Sequence, residues 1–126
     1  MKNLDQIRAA GAASAADSTS KQAVSKLPAL IMSNGLLSAI AFSDERKDHD
    51  QPKREKMKNA MDAVAKHLAK PIHGIGILQN KVSGRDLIAA LSEGKATSDD
   101  LQRATAEALA FLSYLKRFTT KEEQEQ

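Results

Sequence analysis

The sequence predicts an all-α protein, a compact single-domain helical bundle of about five to six helices. Apolar residues recur at the three- and four-residue spacings of amphipathic helices, and no two segments show the alternating pattern of paired strands. The composition agrees, since 30 residues are Val, Ile, Leu, Met or Phe and 21 are Ala, whose small side chain allows helices to pack closely. These residues are enough for one core, and 126 residues fit one domain.

The first helix is predicted over residues 3–17. Leu4 and Ile7 begin an apolar stripe that continues only as alanines, and Gly11 interrupts it at a cost of about 1 kcal/mol relative to alanine. The polar residues Asp17–Ser20 then predict a turn and the start of the next helix.

The second helical region is predicted over residues 20–44. Pro28 is expected to divide it, because proline lacks the N–H that a helix interior uses. The helix over 23–27 should either kink or end there, with Pro28 opening a new helix. From Leu27 to Phe42 apolar residues occupy nearly the whole circumference, which predicts the buried central helix of the bundle. Gly35 lies inside this stretch, and we expect it to let another backbone approach closely.

In the middle of the chain the sequence predicts an exposed charged loop at 44–52 and a helix at 53–70. A connection at 72–82, either strand-like or a buried loop, and a short helix at 85–91 are predicted to follow. The helix at 53–70 is the best defined of these, because its apolar residues fall at i, i+4, i+7 and i+11. We expect them to form one buried stripe, which comprises Met57, Met61, Val64 and Leu68.

The last helix is predicted from Thr97 or Ser98 to about residue 120. Its expected buried face comprises Leu101, Ala104, Ala108, Phe111, Leu112, Leu115 and Phe118, and its other face comprises Arg103, Glu107, Tyr114 and Arg117. Residues 1–121 are therefore expected to form the single domain, and 122–126 a frayed charged tail.

Composition excludes several classes of protein. Cysteine is absent, so the chain has no disulfide, thiolate metal site or cysteine nucleophile. Aromatic residues make up 3% of the chain, which argues against nucleic-acid readers built on rows of stacking aromatics. No apolar run approaches the roughly 20 residues that span a bilayer, and no signal peptide is evident. We therefore expect a soluble, cytoplasmic protein without membrane contact.

Positive charge is concentrated in the middle of the chain. The whole sequence has a net charge of +3, whereas residues 46–70 alone carry eight basic and four acidic residues. Such an excess is the footprint of a polyanion-binding surface, and it is also what a solvated helix face produces.

No catalytic or metal-binding constellation is recognisable. His49, His67 and His73 have no ligand spacing and are expected to be surface or half-buried residues. The aspartates near residue 48 lack the glycine and glutamate of a calcium loop. Paired carboxylates occur only in exposed charged runs. We expect a protein that is not an enzyme and that needs no cofactor or metal.

Three segments resemble the small (fifth) subunit of the type III-B CRISPR effector complex, the Cmr complex small-subunit family. They are LDQIRA at 4–9, KLPALIMSNGLLSAIAF at 26–42 and TAEALAFLSYLKRF at 105–118. The Leu-Pro and Asn-Gly pairs of the second segment and the Leu-Lys-Arg-Phe ending of the third carry the resemblance. The chain departs from the family pattern at Tyr114, where that pattern usually has Trp.

The resemblance implies a non-catalytic structural subunit in antiviral defence against invading RNA. Several copies would stack along a filament of larger backbone subunits and line the channel in which target RNA pairs with guide RNA. RNA cleavage would belong to the backbone subunits, and other chemistry to the large polymerase-like subunit. Basic side chains would contact phosphates while base pairing reads the sequence. Our candidates for RNA binding are Lys26, Lys53, Arg54, Lys56, Lys116 and Arg117.

Other interpretations stay open. Arg117 could instead pair with Glu107 or with a neighbouring subunit. The whole chain could be a helical adaptor that contacts only proteins, with its lysines merely solvated. A small DNA-binding helical protein is a third possibility, although it should show a helix-turn-helix signature, which we do not find.

Overall fold

The computed structural model describes residues 4–44, 52–68 and 98–119. Within these ranges the chain forms five α-helices and one 3-10 turn and contains no strand, which confirms the predicted all-α bundle. The elements are α1 (Leu4–Ala15), the 3-10 turn Ala16–Ser18, α2 (Lys21–Asn34), α3 (Leu36–Asp44), α4 (Pro52–Leu68) and α5 (Ser98–Phe118).

Several predicted elements lie outside the described residues. They are the interior of the charged loop, the connection at 72–82, the helix at 85–91 and the tail at 122–126. The two ends of the predicted loop, residues 44 and 52, belong to α3 and α4.

The turn between α1 and α2 lies where the sequence predicts it. Ser20 has extended backbone angles and caps α2, because its hydroxyl oxygen accepts a hydrogen bond from the Ala23 N–H at 3.2 Å. The preceding 3-10 turn continues α1 by three residues, so the first helical region ends one residue later than predicted.

The second helical region is divided into two helices at Gly35 and not at Pro28, so our expectation that a helix ends and a new one opens at Pro28 was wrong. α2 continues through Pro28, which removes only one hydrogen-bond donor from an otherwise intact helix. Gly35 has φ 90° and ψ 159°, a conformation almost confined to glycine. Its N–H donates to the Ile31 carbonyl at 2.8 Å and its carbonyl accepts from the Ala39 N–H at 3.0 Å, so one residue ends α2 and begins α3.

The reason for a glycine at position 35 also differs from our expectation. A Cβ placed there would meet no atom within 4 Å, so Gly35 does not serve a close approach of another backbone. Its positive φ explains the residue instead.

The stretch from Leu27 to Phe42 is not buried on all sides, as we had expected. Ile31 and Ile40 are buried, but Met32 is 77% exposed and Phe42 is 40% exposed. The break at Gly35 makes two short helices here, and each buries one side only.

α4 occupies the centre of the bundle instead. It packs against each of the other four helices, and its predicted stripe of Met57, Met61, Val64 and Leu68 is buried. An apolar stripe with strict helical spacing therefore located the core better than a high density of apolar residues did.

α5 confirms most of its predicted buried face. Ala104, Ala108, Phe111, Leu112 and Leu115 are buried, and Leu101 is half-buried against them. Phe118, at the end of the helix, is 47% exposed, so its predicted burial was wrong.

Contacts with α5 establish the directions of the neighbouring helices. Arg8 on α1 contacts Glu107, and the first residue of α2, Lys21, contacts Lys116 farther along α5. α1 and α5 therefore run in the same direction. α4 runs in the opposite direction, because His67 near its end contacts Glu107 while its beginning is bonded to the turn after α1. The starts of α2 and α4 consequently meet the end of α5 at one end of the bundle.

None of the helices within the described ranges has the length and apolar character needed to cross a membrane.

Candidate nucleic-acid interface

Three hydrogen bonds connect the helices at the end of the bundle where α2 and α4 begin and α5 ends. The Thr19 hydroxyl donates to the Lys56 carbonyl at 2.7 Å, and the Asn59 amide donates to the Ser18 carbonyl at 2.8 Å. The Lys21 ammonium donates to the Lys116 carbonyl at 2.9 Å. We call this part of the molecule, residues 16–21, 52–56 and 115–119, the basic end.

The basic end carries more positive charge than the whole chain. Its three segments contain six basic and two acidic residues, a formal net charge of +4, against +3 for all 126 residues. The two acidic residues are Asp17 and Glu55, both exposed. The amino termini of α2 and α4 add partial positive charge, and the carboxyl terminus of α5 removes some.

Lys21 binds α5 because of the electrostatics of helix ends. A lysine in the first turn of α2 opposes the dipole of its own helix, whereas the carboxyl end of α5 attracts a cation. The Lys116 carbonyl at that end accepts from Lys21 and also from the Thr119 hydroxyl, at 3.0 Å. Our prediction missed Lys21. The available signal was a lysine directly after a capping serine, because the dipole of its own helix disfavours a cation there and favours a contact with another helix.

Five of the six predicted RNA-binding residues belong to the basic end. Lys116 and Arg117 are exposed in the last turn of α5, and Lys56 is half-buried on α4. Lys53 and Arg54 lie in the first turn of α4, so their backbone positions place them at the same end; their side chains lie outside the description.

Lys26, the sixth candidate, is not brought together with the others. It is exposed on α2, five residues after Lys21, which corresponds to about 140° around the helix axis. Since Lys21 extends towards α5, Lys26 projects from a different side of α2.

A second cluster of charges lies in the middle of the bundle, and we call Arg8, His67 and Glu107 the central ion cluster. The Arg8 Nε and Nη2 atoms donate to the two carboxylate oxygens of Glu107, both at 2.7 Å. The His67 Nε2 lies 2.8 Å from Glu107 Oε2. The imidazole also stacks on the ring of Phe111, with centroids 4.5 Å apart and planes 19° apart. One carboxylate thus joins α1, α4 and α5.

Burial and hydrogen bonding act in opposite directions on Glu107. Burial alone would raise the pKa of its carboxyl group, but hydrogen bonds from Arg8 and His67 and the charge of Arg8 outweigh burial and lower it. The same hydrogen bond to Glu107 raises the pKa of Arg8. Both groups are therefore held in their charged forms.

The central ion cluster corrects two expectations. The partner of Glu107 is Arg8 with His67 and not Arg117, which lies ten residues farther along α5, about 15 Å away. His67 is 1% exposed, whereas we had expected a surface or half-buried histidine.

A groove of about 520 Å³ lies between α1 and α4 above the stacked His67 and Phe111. Two of its three ionisable residues form ion pairs, Asp62 with Lys58 at 3.0 Å and His67 with Glu107, and the third, Lys66, is exposed. Within the described ranges, no group of three or more His, Cys, Asp or Glu side chains is placed to hold a metal ion. The described residues of the groove therefore form a concave surface without a recognisable catalytic or metal-binding group. It is lined by Ala10, Gly11, Ser14, Ala15, Ser18, Asn59, Asp62, Ala63, Lys66, His67 and Phe111.

Comparison with known proteins identifies a family. The family described as CRISPR-associated protein (Cas_Cmr5) matches residues 2–122 of the chain. No curated protein and no solved structure matches it.

Proposed function

Since the chain belongs to the Cas_Cmr5 family of CRISPR-associated proteins and is thereby a subunit of a Cmr complex, we propose that it is the small structural subunit that lines the RNA channel of that complex. In this role it acts in the cytoplasm in antiviral defence, beside backbone and polymerase-like subunits and further copies of itself. It contacts the phosphates of guide or target RNA and leaves sequence recognition to base pairing.

The basic end is the single observation that carries this proposal. Its net charge of +4 is drawn from three segments far apart in the sequence, which the fold brings to one place. Lys116 and Arg117 are exposed there, and cations spaced over several helices suit a phosphate backbone better than one compact cluster does. The rest of the chain has a net charge of −1, so an RNA strand would be attracted to this end in particular.

A role without catalysis is part of the proposal. In the partly buried central ion cluster the charges of Arg8 and Glu107 compensate each other, and Glu107 is kept ionised by its hydrogen bonds from Arg8 and His67. A general acid or base needs a pKa near the working pH, whereas these contacts move the pKa of Glu107 away from it. RNA cleavage is assigned to other subunits.

One observation favours the second candidate, an adaptor that contacts only proteins. Met32 is 77% exposed on α2, and methionine is common at adaptable protein-binding surfaces. Such an adaptor would use this side of α2, and its basic end would be solvated only.

The proposal is tested by titrating the assembled complex with guide-complementary RNA at several salt concentrations. We compare Lys116→Ala and Arg117→Ala with Lys66→Ala. Lys66 is also an exposed lysine, but it lies on α4 about 15 Å along the helix from Lys56. Each true phosphate contact that is removed should reduce the salt slope of log K by roughly 0.7–0.9.

The expected result is a smaller slope for Lys116→Ala or Arg117→Ala, an unchanged slope for Lys66→Ala, and equal weakening for all RNA sequences. Unchanged slopes for both α5 variants would reject RNA contact by the basic end. If those variants instead prevented assembly and left the RNA affinity of assembled complexes unchanged, the adaptor function would be favoured.

A further inference from the structure

The end of α5 combines exposed cations with an exposed aromatic ring. Phe118, the last residue of the helix, is 47% exposed and directly follows the exposed Lys116 and Arg117. Tyr114, half-buried, lies one turn earlier on the same side. The chain has three Phe, one Tyr and no Trp, so two of its four aromatic residues lie within the last five residues of α5.

The position of Phe118 is held by the backbone around it. The next residue, Thr119, is buried; its N–H donates to the Leu115 carbonyl at 3.1 Å and its hydroxyl to the Lys116 carbonyl at 3.0 Å. Lys21 donates to the same Lys116 carbonyl. Hydrogen bonds from Thr119 and from Lys21 therefore hold the last turn of α5 in place, and the Phe118 ring projects from this ordered turn.

The Phe118 ring is exposed because of its position near the end of α5. Phe111 lies seven residues earlier and, by helical spacing, on nearly the same side, yet it is buried against His67. Phe118 lies about 10 Å farther along the axis and reaches the edge of the core. The ring is thus presented beside cations, the combination that single-strand nucleic-acid sites use.

We propose that Phe118 is a stacking platform for an unpaired base of RNA, whose adjoining phosphates contact Lys116 and Arg117. This inference rests on the proposed function and specifies its ligand as single-stranded nucleotides. A base offers a flat apolar face to the ring and a phosphate to the cations, so one ligand satisfies both features. In a duplex, neighbouring base pairs cover the base faces, so paired RNA would engage the cations but not the ring.

A protein partner would fit this surface less well. The basic end, to which Phe118 belongs, contains six basic and only two acidic residues, and an apolar protein surface would have to remove water from the exposed Lys116 and Arg117 without replacing it. An RNA strand supplies the compensating negative charge.

The test uses the full-length chain and an oligoribonucleotide that contains 2-aminopurine, either single-stranded or paired with its complement. Stacking on an aromatic side chain quenches the fluorescence of 2-aminopurine. We expect Phe118→Leu to weaken binding of the single strand about 5- to 100-fold and to abolish the quenching. Duplex affinity should change less than about twofold, and Phe118→Trp should retain both single-strand affinity and quenching.

Met32→Ala is the control for loss of an exposed apolar side chain, since Met32 lies about 16 Å along α2 from Lys21, and it should leave both affinities unchanged. Circular dichroism checks that each variant remains helical. Equal weakening of single-stranded and paired RNA by Phe118→Leu would overturn the inference, and so would unchanged binding with unchanged quenching. Normal RNA binding with failed assembly with the other subunits would assign the ring to a protein contact and also overturn it.

The two proposals fail in different ways. If Phe118→Leu has no effect but Lys116→Ala or Arg117→Ala still reduces the salt slope, the stacking inference is wrong and the phosphate contacts stand. If neither the slope nor the fluorescence responds to any of these variants, both proposals are wrong.

Discussion

The central ion cluster and the basic end contain similar residues in opposite situations. In the cluster, Arg8 and Glu107 are 23% and 12% exposed at their side chains and are joined by two hydrogen bonds of 2.7 Å. At the basic end, Lys116 and Arg117 are exposed and only two acidic residues accompany six basic ones. Cations of the first kind hold helices together, whereas cations of the second kind remain available to a ligand.

We therefore expect the central ion cluster to contribute to stability and the basic end to contribute to binding. Charges that neutralise each other in a partly buried site stabilise the native state only as a set, because removing one leaves its partners without compensation. Like charges at a surface repel one another and slightly destabilise the compact state, while they attract a polyanion. Substitutions in the two regions should therefore have opposite signatures.

The largest expected effect concerns the two phenylalanines of α5. Phe111→Ala removes a buried ring that stacks on His67 and should lower the free energy of unfolding by about 3–5 kcal/mol. Phe118→Ala removes a half-exposed ring and should cost less than about 1 kcal/mol. Chemical denaturation measures both. Similar losses for the two variants would show that Phe118 belongs to the core after all.

The next effect concerns the carboxylate of the central ion cluster. Glu107→Gln keeps the shape of the side chain but removes the charge that Arg8 and His67 contact, and should cost about 2 kcal/mol. Asp62→Asn, in the more exposed Lys58–Asp62 pair, is the matched control and should cost less than about 1 kcal/mol. If both cost the same small amount, the cluster is not a structural element of the bundle.

The stabilisation by Glu107 should depend on pH. The pKa of this carboxyl group is lower in the folded chain than its ordinary value of 4.5, so its contribution is fully present above that value and is lost as the pH falls towards the folded pKa. The stability difference between the wild-type chain and Glu107→Gln should therefore be largest near neutral pH and shrink in acid. A difference that stays constant from pH 7 to pH 3 would contradict the ion pairing.

The smallest expected effects on stability are at the basic end. Lys116→Ala and Arg117→Ala should change the free energy of unfolding by no more than about 0.5 kcal/mol. Lys21→Ala should cost slightly more, about 0.3–1 kcal/mol, because it removes a cation bonded to the carboxyl end of α5. Thermal or chemical denaturation distinguishes these values. Losses above about 2 kcal/mol for Lys116 or Arg117 would place them among the structural residues.

Much of the fold was predictable because helical periodicity is local. The stripe of α4 and the limits of α5 follow from spacings within a few turns, and both are confirmed. The division at Gly35 was missed because proline is a stronger helix breaker than glycine, while the positive φ at Gly35 depends on the packing of α2 and α3 in the folded chain. Periodicity also identifies which side of a helix faces the core, but it does not show where the neighbouring helices end. The burial of Phe118 was therefore wrongly predicted.

The candidate site was predictable only in part, because its geometry is not local. Arg8 and Glu107 are 99 residues apart in the sequence, and no spacing rule connects them. Lys21 and Lys116 are 95 residues apart, yet they share one end of the bundle. The basic run near residue 50 and the basic ending of α5 were visible separately. Their convergence required the antiparallel packing of α4 and α5.

Cross-linking tests the central claim, RNA contact by the basic end, most directly. Target RNA that contains 4-thiouridine is irradiated in the assembled complex, and the cross-linked peptides of this subunit are identified by mass spectrometry. We predict cross-links in peptides that cover residues 16–26 and 112–119, and their loss on charge removal at Lys116 and Arg117. Cross-links confined to peptides around Lys66 or Arg103, with none at the basic end, would contradict the account.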